Sequence, residues 1–269
     1  MSETPAQTRL AATVMLLRDA TSFEVLMVKR HYQIDFASGA LVFPGGKAND
    51  EDARDDWKLL SDGEFDGDAL TARIAAVREA FEESGILLAR RKTSRGPGNP
   101  LLVADEVVPF EHLRGPIDRR EESFLSMVRD NDLILALDLL IHAGHWITPV
   151  MMPKRFDTHF YIAPTPVEQI ATHDGRETTD TTWINPNYAL EQAEAGEAKI
   201  IFPTRMVLGQ LGEASSVKEA QLKFEQMTIV TVEPELSKDE DGNPVLRIPA
   251  EAGYMTNTER LDQAYKGVK

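Results

Sequence analysis

ARIAAVREAFEESGI, residues 72–86, is the stretch on which the reading of this chain turns. At helical period, Ile74, Val77, Phe81 and Ser84 share one side, at spacings of three and four. Glu79, Glu82 and Glu83 gather on another, because residues three and four apart on a helix are neighbours. Like charges at that spacing cost a few tenths of a kcal/mol per pair, so a helix that needed only solubility would interleave lysines. The simplest reason for the cluster is a divalent cation, since carboxylate oxygens are hard ligands suited to Mg²⁺ or Mn²⁺. Arg78, four residues before Glu82, can fix that carboxylate with its forked guanidinium. Gly85 ends the helix, as glycine does just past a last turn. An isolated E-x-x-E-E read alone would be a solvated acidic face.

The surrounding residues argue for more. Arg78 to Ile86, REAFEESGI, fits R-E-U-x-E-E-x-G-U, with U an apolar residue. Upstream, Phe43 to Lys47 reads FPGGK. Together the two pieces resemble the Nudix hydrolases, whose box opens on a strand-to-loop segment and closes on a Glu-rich helix. The box here is interrupted: Gly46 to Arg78 spans 32 positions where the compact motif has 14, an excess of 18. The Glu that normally lies between them is absent or displaced, with Asp52 at its place counted forward and Leu70 counted back. An interrupted box of this kind is similar to that of the branch containing peroxisomal coenzyme A diphosphatase-like enzymes.

The resemblance implies an α/β fold, an α/β/α sandwich around a mixed β-sheet, in one domain over residues 1–269. It places an acidic insertion at 47–69, a helical insertion at 117–145, and helices and a tail at 203–269. It implies that Glu79, Glu82, Glu83 and the Gly45 carbonyl hold Mg²⁺ or Mn²⁺, and that Arg78 orients the carboxylates. Glu177, with Asp174 second, or a helix carboxylate accepts a proton from water. Gly46, Arg155 and Phe156 are expected near the substrate, Arg155 on a phosphate or a structural carboxylate, and Asp157 paired with Arg155 or capping its strand. The substrate implied is a small nucleoside diphosphate conjugate, coenzyme A or an acyl-CoA. An ADP-ribose or NADH-like dinucleotide is the alternative, as is a non-catalytic ligand-binding module. A homodimer is also expected.

Composition sets outer bounds. The 42% hydrophobic and 27% charged content is that of an ordinary globular chain. A formal charge of −15 argues against a nucleic-acid backbone as partner, which needs clustered Lys and Arg. No apolar run reaches the roughly 20 residues that span a bilayer. The start, MSETPAQTRLAA, lacks a basic segment before an apolar core, and there is no Cys, so a cytoplasmic, reducing setting is expected.

Along the chain, 10–18 and 23–30 predict two strands and a turn, and Gly39 to Pro44 a third strand. The Gly45–Gly46 pair permits positive φ and close approach to the backbone. Residues 47–69, with nine acids against three bases, predict a solvated acidic loop and a short helix near Trp57. The DGEFDG run within it is no calcium loop, because its twelfth position is Arg73 rather than Glu. A strand is expected at Ile86–Ala89, then a basic loop in which Arg90, Arg91, Lys92 and Arg95 offset acidic surface. Apolar spacing over 119–144 predicts two helices broken near Asn131 and Asp132, with His142 and His145 packing at a helix end. Three helices are predicted near 185–195, 203–211 and 216–226. A late hairpin is expected from 227–232 and 244–249, and a poorly ordered tail beyond Gly253.

Overall fold

The computed structural model describes residues 6–31 and 39–264. The elements in chain order are β1 (Thr8–Asp19), β2 (Phe23–Arg30), β3 (Leu41–Val42), β4 (Gly45–Lys47), α1 (Gly67–Ser84) and β5 (Ala89–Arg91). Next come α2 (Ala104–Val107), α3 (Arg114–Asp118), α4 (Phe124–Asp130), β6 (Leu133–Leu135), β7 (Ile141–Ile147), β8 (Arg155–Pro164) and β9 (Thr178–Ile184). The chain continues through α5 (Pro186–Glu194), α6 (Phe202–Leu211), α7 (Val217–Gln226), β10 (Thr231–Val232), β11 (Glu235–Lys238), β12 (Pro244–Arg247), β13 (Thr258–Arg260) and α8 (Leu261–Ala264).

Among the described residues, eight strands form one mixed sheet in the order β10-β7-β8-β1-β2-β3, with β4 also on β1 and β9 also on β2. The β1–β8 and β10–β7 pairs are parallel, and the others are antiparallel. β1 is apolar on both faces because it is central and covered on both sides. Val14 and Leu16 enter the core under α1, while Met15 and Leu17 enter the opposite core under α5, α6 and α7. On β8, Tyr161 and Ala163 face the first layer, and Phe160 and Ile162 the second. The chain is the expected α/β/α sandwich.

α1 forms as its sequence predicts. Gly85 takes φ 76°, and its N–H closes on the Phe81 carbonyl. α5 opens under the Asn185 cap, α6 carries Pro203 in its first turn, and α7 opens under the Ser216 cap.

Several expectations are corrected. The second helix of 119–144 does not form: after α4 come β6, a short 3₁₀ turn and β7. Leu133–Leu140 is a short, almost wholly apolar run, which fits a buried strand as well as a helix, and pairing with β5 decides it. The insertion is not merely solvated: Trp57 is fully buried, its Nε1 donates to the Glu51 carbonyl, and its ring meets Phe124 at 5.6 Å. Glu51 accepts from Ser123 and the Phe124 N–H, fastening the insertion to the start of α4. Arg90 is buried rather than surface, ion-paired with Asp62 and Asp138. The late hairpin is β11–β12, not 227–232 with 244–249, since β10 joins the main sheet. Residues 254–264 are ordered, with β13 on β12. His142 and His145 lie on a strand, not at a helix end. Burial and the charge of neighbouring histidines and Arg73 push His142 and His159 down to about 4, so both are neutral at physiological pH.

Candidate active site

The last two turns of α1 carry the acidic groups, and Arg78 ties them together. Its Nε reaches Asp52 Oδ1 at 2.9 Å and its Nη2 reaches Asp52 Oδ2 at 2.9 Å, a two-pronged pair across 26 residues. Its Nη1 donates to Glu79 at 2.9 Å and Glu82 at 2.8 Å, and Nη2 also donates to the Lys47 carbonyl. Burial works against the guanidinium charge, but Glu79 and Asp52 outweigh it and hold Arg78 well above its ordinary value. Asp52, reached by counting forward from Gly46, is fully buried here. The acid reached by that count therefore meets Arg78 in space.

Glu83 accepts from the Gly45 N–H at 3.0 Å. A Cβ on Gly46 would sit 2.5 Å from the Glu79 carboxylate, and one on Gly45 would strike Ala12 O and Thr13 Oγ1 at 2.5 Å. Neither glycine is among those at positive φ. The pair is glycine because carboxylate and strand approach the backbone, not because of a left-handed turn.

The acids are held against their ionised form. Burial first, then repulsion from Glu79, lifts Glu82 to about 8, with Arg78 opposing. Burial raises Glu79, and burial with the Glu79 charge raises Glu83 well above the usual carboxylate range. Glu82 Oε1 is buried and lacks a hydrogen-bond partner among the described residues. Three desolvated carboxylates on one helix, one with an unused buried oxygen, are hard oxygen donors of the kind a small divalent cation takes. The residues fit that group.

Glu79 and Glu82 line a cavity of about 440 Å³. Its polar side carries Arg30, Arg78, Glu79, Glu82 and Glu177 beside Gly45 and Gly46; Phe43, Trp146, Phe156, Phe160 and Phe202 form an apolar side. Glu177, from the loop before β9, brings its charge to bear on Glu79 and Glu83. Asp174 stays in its loop, accepting from the N–H groups of Glu177 and Thr178 and from the Thr178 hydroxyl. Those hydrogen bonds, against the opposing effect of burial, hold it below the usual range.

Of the two partners expected for Arg155, the structure shows the structural carboxylate. Its donors go to the Thr148 and Ala6 carbonyls and to Glu233, the structural carboxylate. Asp157 pairs with His145, not Arg155. Sequence reasoning did not single out Arg30, at the end of β2, or Arg114. Arg114 donates to the Phe81 and Glu82 carbonyls at the end of α1 and to Thr172. Both are lone arginines without a neighbouring motif, so no local signal marks them.

A mixed-sheet sandwich whose Glu-rich helix meets a glycine pair defines the Nudix class. Residues 61–209 match the NUDT19 Nudix domain, which is more than half of the sequence, and the chain belongs to that family. It is 28% identical over 238 residues to acyl-coenzyme A diphosphatase NUDT19 of Xenopus laevis, covering 75% of this chain and 63% of the relative. It is also 28% identical over 213 residues to acyl-coenzyme A diphosphatase NUDT19 of Homo sapiens, covering 64% and 56%. The chain thus spans less than two thirds of the length of these relatives. A crystal structure of a NUDIX hydrolase from Alicyclobacillus acidocaldarius superposes with a TM-score of 0.70 at 26% identity, over 83% of this chain and 99% of that one. No described helix is long and apolar enough to cross a membrane.

Proposed function

We propose that this chain hydrolyses the diphosphate of coenzyme A or an acyl-CoA. Water adds across the P–O–P bridge, one phosphorus gaining the hydroxyl while the bridging oxygen departs with the other, giving 3′,5′-ADP and a phosphopantetheine product. The observation that carries this reading is the carboxylate cluster of α1 beside Gly45 and Gly46 in the 440 Å³ cavity. Similarity to proteins named acyl-coenzyme A diphosphatase supports the substrate.

In this reading Glu79, Glu82, Glu83 and the Gly45 carbonyl hold Mg²⁺ or Mn²⁺. When bound, such a cation offsets charge on the diphosphate and favours ionisation of water. Arg78 keeps Glu79 and Glu82 in register through the bonds described above. Glu177 accepts the water proton, facing the same cavity from a different element. Gly46 allows the diphosphate to lie close to the backbone, and Phe156 with the aromatic side gives apolar surface for the rest of the ligand.

The test is incubation of the purified chain with Mg²⁺ or Mn²⁺ and, separately, CoA, acyl-CoA, ADP-ribose and NADH, with products identified by mass spectrometry. Release of 3′,5′-ADP from CoA or acyl-CoA, lost in the Glu82→Gln/Glu83→Gln double variant, is the expected result. Cleavage of ADP-ribose or NADH alone removes the substrate assignment. No cleavage with either metal removes the hydrolase.

A further inference from the structure

A second cluster of ligand-type side chains lies on the far side of β8 from the cavity. Phe156, Thr158 and Phe160 line the cavity, so Asp157, His159 and Tyr161 point to the opposite face, because strand side chains alternate. There His145, Asp157 and His159 each offer one ligand atom, and these atoms all lie within 4.8 Å of one another. His145 Nε2 is 2.5 Å from Asp157 Oδ1, and His159 Nε2 is 3.8 Å from the same oxygen. The two imidazoles stack at 4.2 Å.

The backbone is irregular where these side chains converge. His142 and His145 are three apart, and on a regular strand they would point to opposite faces. The β7–β8 pairing shifts register between His142 and Gly144, so His142 lies opposite Tyr161 and His145 opposite His159. That bulge brings both histidines to the Asp157 face, the re-aiming such irregularities provide near sites. Each remaining ring nitrogen already has a partner. His145 Nδ1 is 2.8 Å from Thr231 Oγ1, and His159 Nδ1 is 3.1 Å from His142 Nε2. Metal-bound histidines are held this way, by a hydrogen bond from the distal N–H that leaves the other nitrogen free.

We propose that His145, His159 and Asp157 form a binding site for a borderline transition-metal cation of the Zn²⁺ class, separate from the carboxylate site on α1. Two imidazoles and a carboxylate are the ligand set that such cations prefer over Mg²⁺. Thr231 and His142 are positioning residues that fix the two rings. The site joins β7 to β8 directly and to β10 through Thr231, so bound metal staples the sheet edge. Arg73, stacked on Phe65 at 3.9 Å and Tyr161 at 4.8 Å, adds nearby positive charge, which makes the Asp157 carboxylate essential for holding a cation.

The experiment uses the untagged full chain, stripped of metal and then kept in millimolar Mg²⁺ to fill the carboxylate site. Zn²⁺ is titrated calorimetrically and Co²⁺ by visible absorption. We expect uptake of one Zn²⁺ per chain with a micromolar or tighter Kd and a Co²⁺ d–d band of low-coordinate, nitrogen-ligated type. Zn²⁺ at about 100-fold over Kd should raise the melting temperature by roughly 5–10 °C. His145→Asn and Asp157→Asn should each weaken uptake by about tenfold or more, while Glu82→Gln leaves it unchanged. Absence of Zn²⁺ uptake and of the Co²⁺ band in the unmodified chain would overturn the site, whatever the variants do. Unchanged uptake in both substitutions, or its loss in Glu82→Gln, would equally overturn it.

Discussion

Replacing Asp52 by Asn tests whether the insertion completes the site or merely interrupts the motif. Asp52 is fully buried and gives its two oxygens to Arg78 Nε and Nη2, while Oδ2 also accepts from the Asn49 N–H. An amide has one oxygen. If that oxygen keeps the Asn49 and Nη2 contacts, the NH₂ faces Arg78 Nε, donor against donor. One charge-assisted hydrogen bond is lost and one buried donor is left without a partner, at roughly 2–4 kcal/mol in all. For a chain of this size that corresponds to a melting-temperature fall of roughly 5–15 °C. Circular dichroism reports the whole fold. Fluorescence at Trp57, buried in the same insertion, contributes a local signal alongside Trp146 and Trp183. Asp56→Asn is the control, because its partnership with Arg54 is exposed and should change stability by less than about 1 kcal/mol. An Asp52→Asn change as small as that of the control would refute the pairing as the link between insertion and helix.

Gly46→Ala should barely alter stability, since the clash is with the flexible end of Glu79, yet weaken Mg²⁺ binding by about tenfold or more in calorimetry. Unchanged Mg²⁺ affinity would mean that the Glu79 carboxylate is not a ligand. Glu177→Gln should lower kcat by about 10²–10⁴ with little change in KM; a fall in kcat/KM through KM alone would make it a binding residue. Glu82 holds its proton to about pH 8 when folded but loses it near 4.5 when unfolded. The metal-free folded chain therefore binds more protons across that window, and its stability drops as pH rises. Between about pH 7 and about pH 9 the loss from Glu82 is about 1.4 kcal/mol, read as a falling urea midpoint in EDTA. Saturating Mg²⁺ should remove the slope; a midpoint that rises over the same range without metal would contradict the burial argument.

The α1 helix, its glutamates and its stop at Gly85 were legible in the sequence because they depend on neighbours three and four positions apart. The same holds for the first two strands, whose apolar runs and turn are local, and for the helices that begin near Asn185 and Ser216. Counting forward from Gly46 reaches Asp52 but gives it no role, since its partner lies 26 residues away and only folding closes that distance. Resemblance alone points to Glu177; its place at the cavity depends on how the loop before β9 crosses the end of α1. Leu133–Leu140 could not be read correctly because a short apolar run has no period of its own, and the partner strand made it β. His142 and His145 illustrate the limit most clearly. Three apart in sequence, they belong to opposite faces of any regular strand, and a one-residue register shift against β8 puts them together. Spacing within a segment sets local geometry, whereas the pairing of distant segments sets which charges meet, and that pairing is a property of the packed sheet.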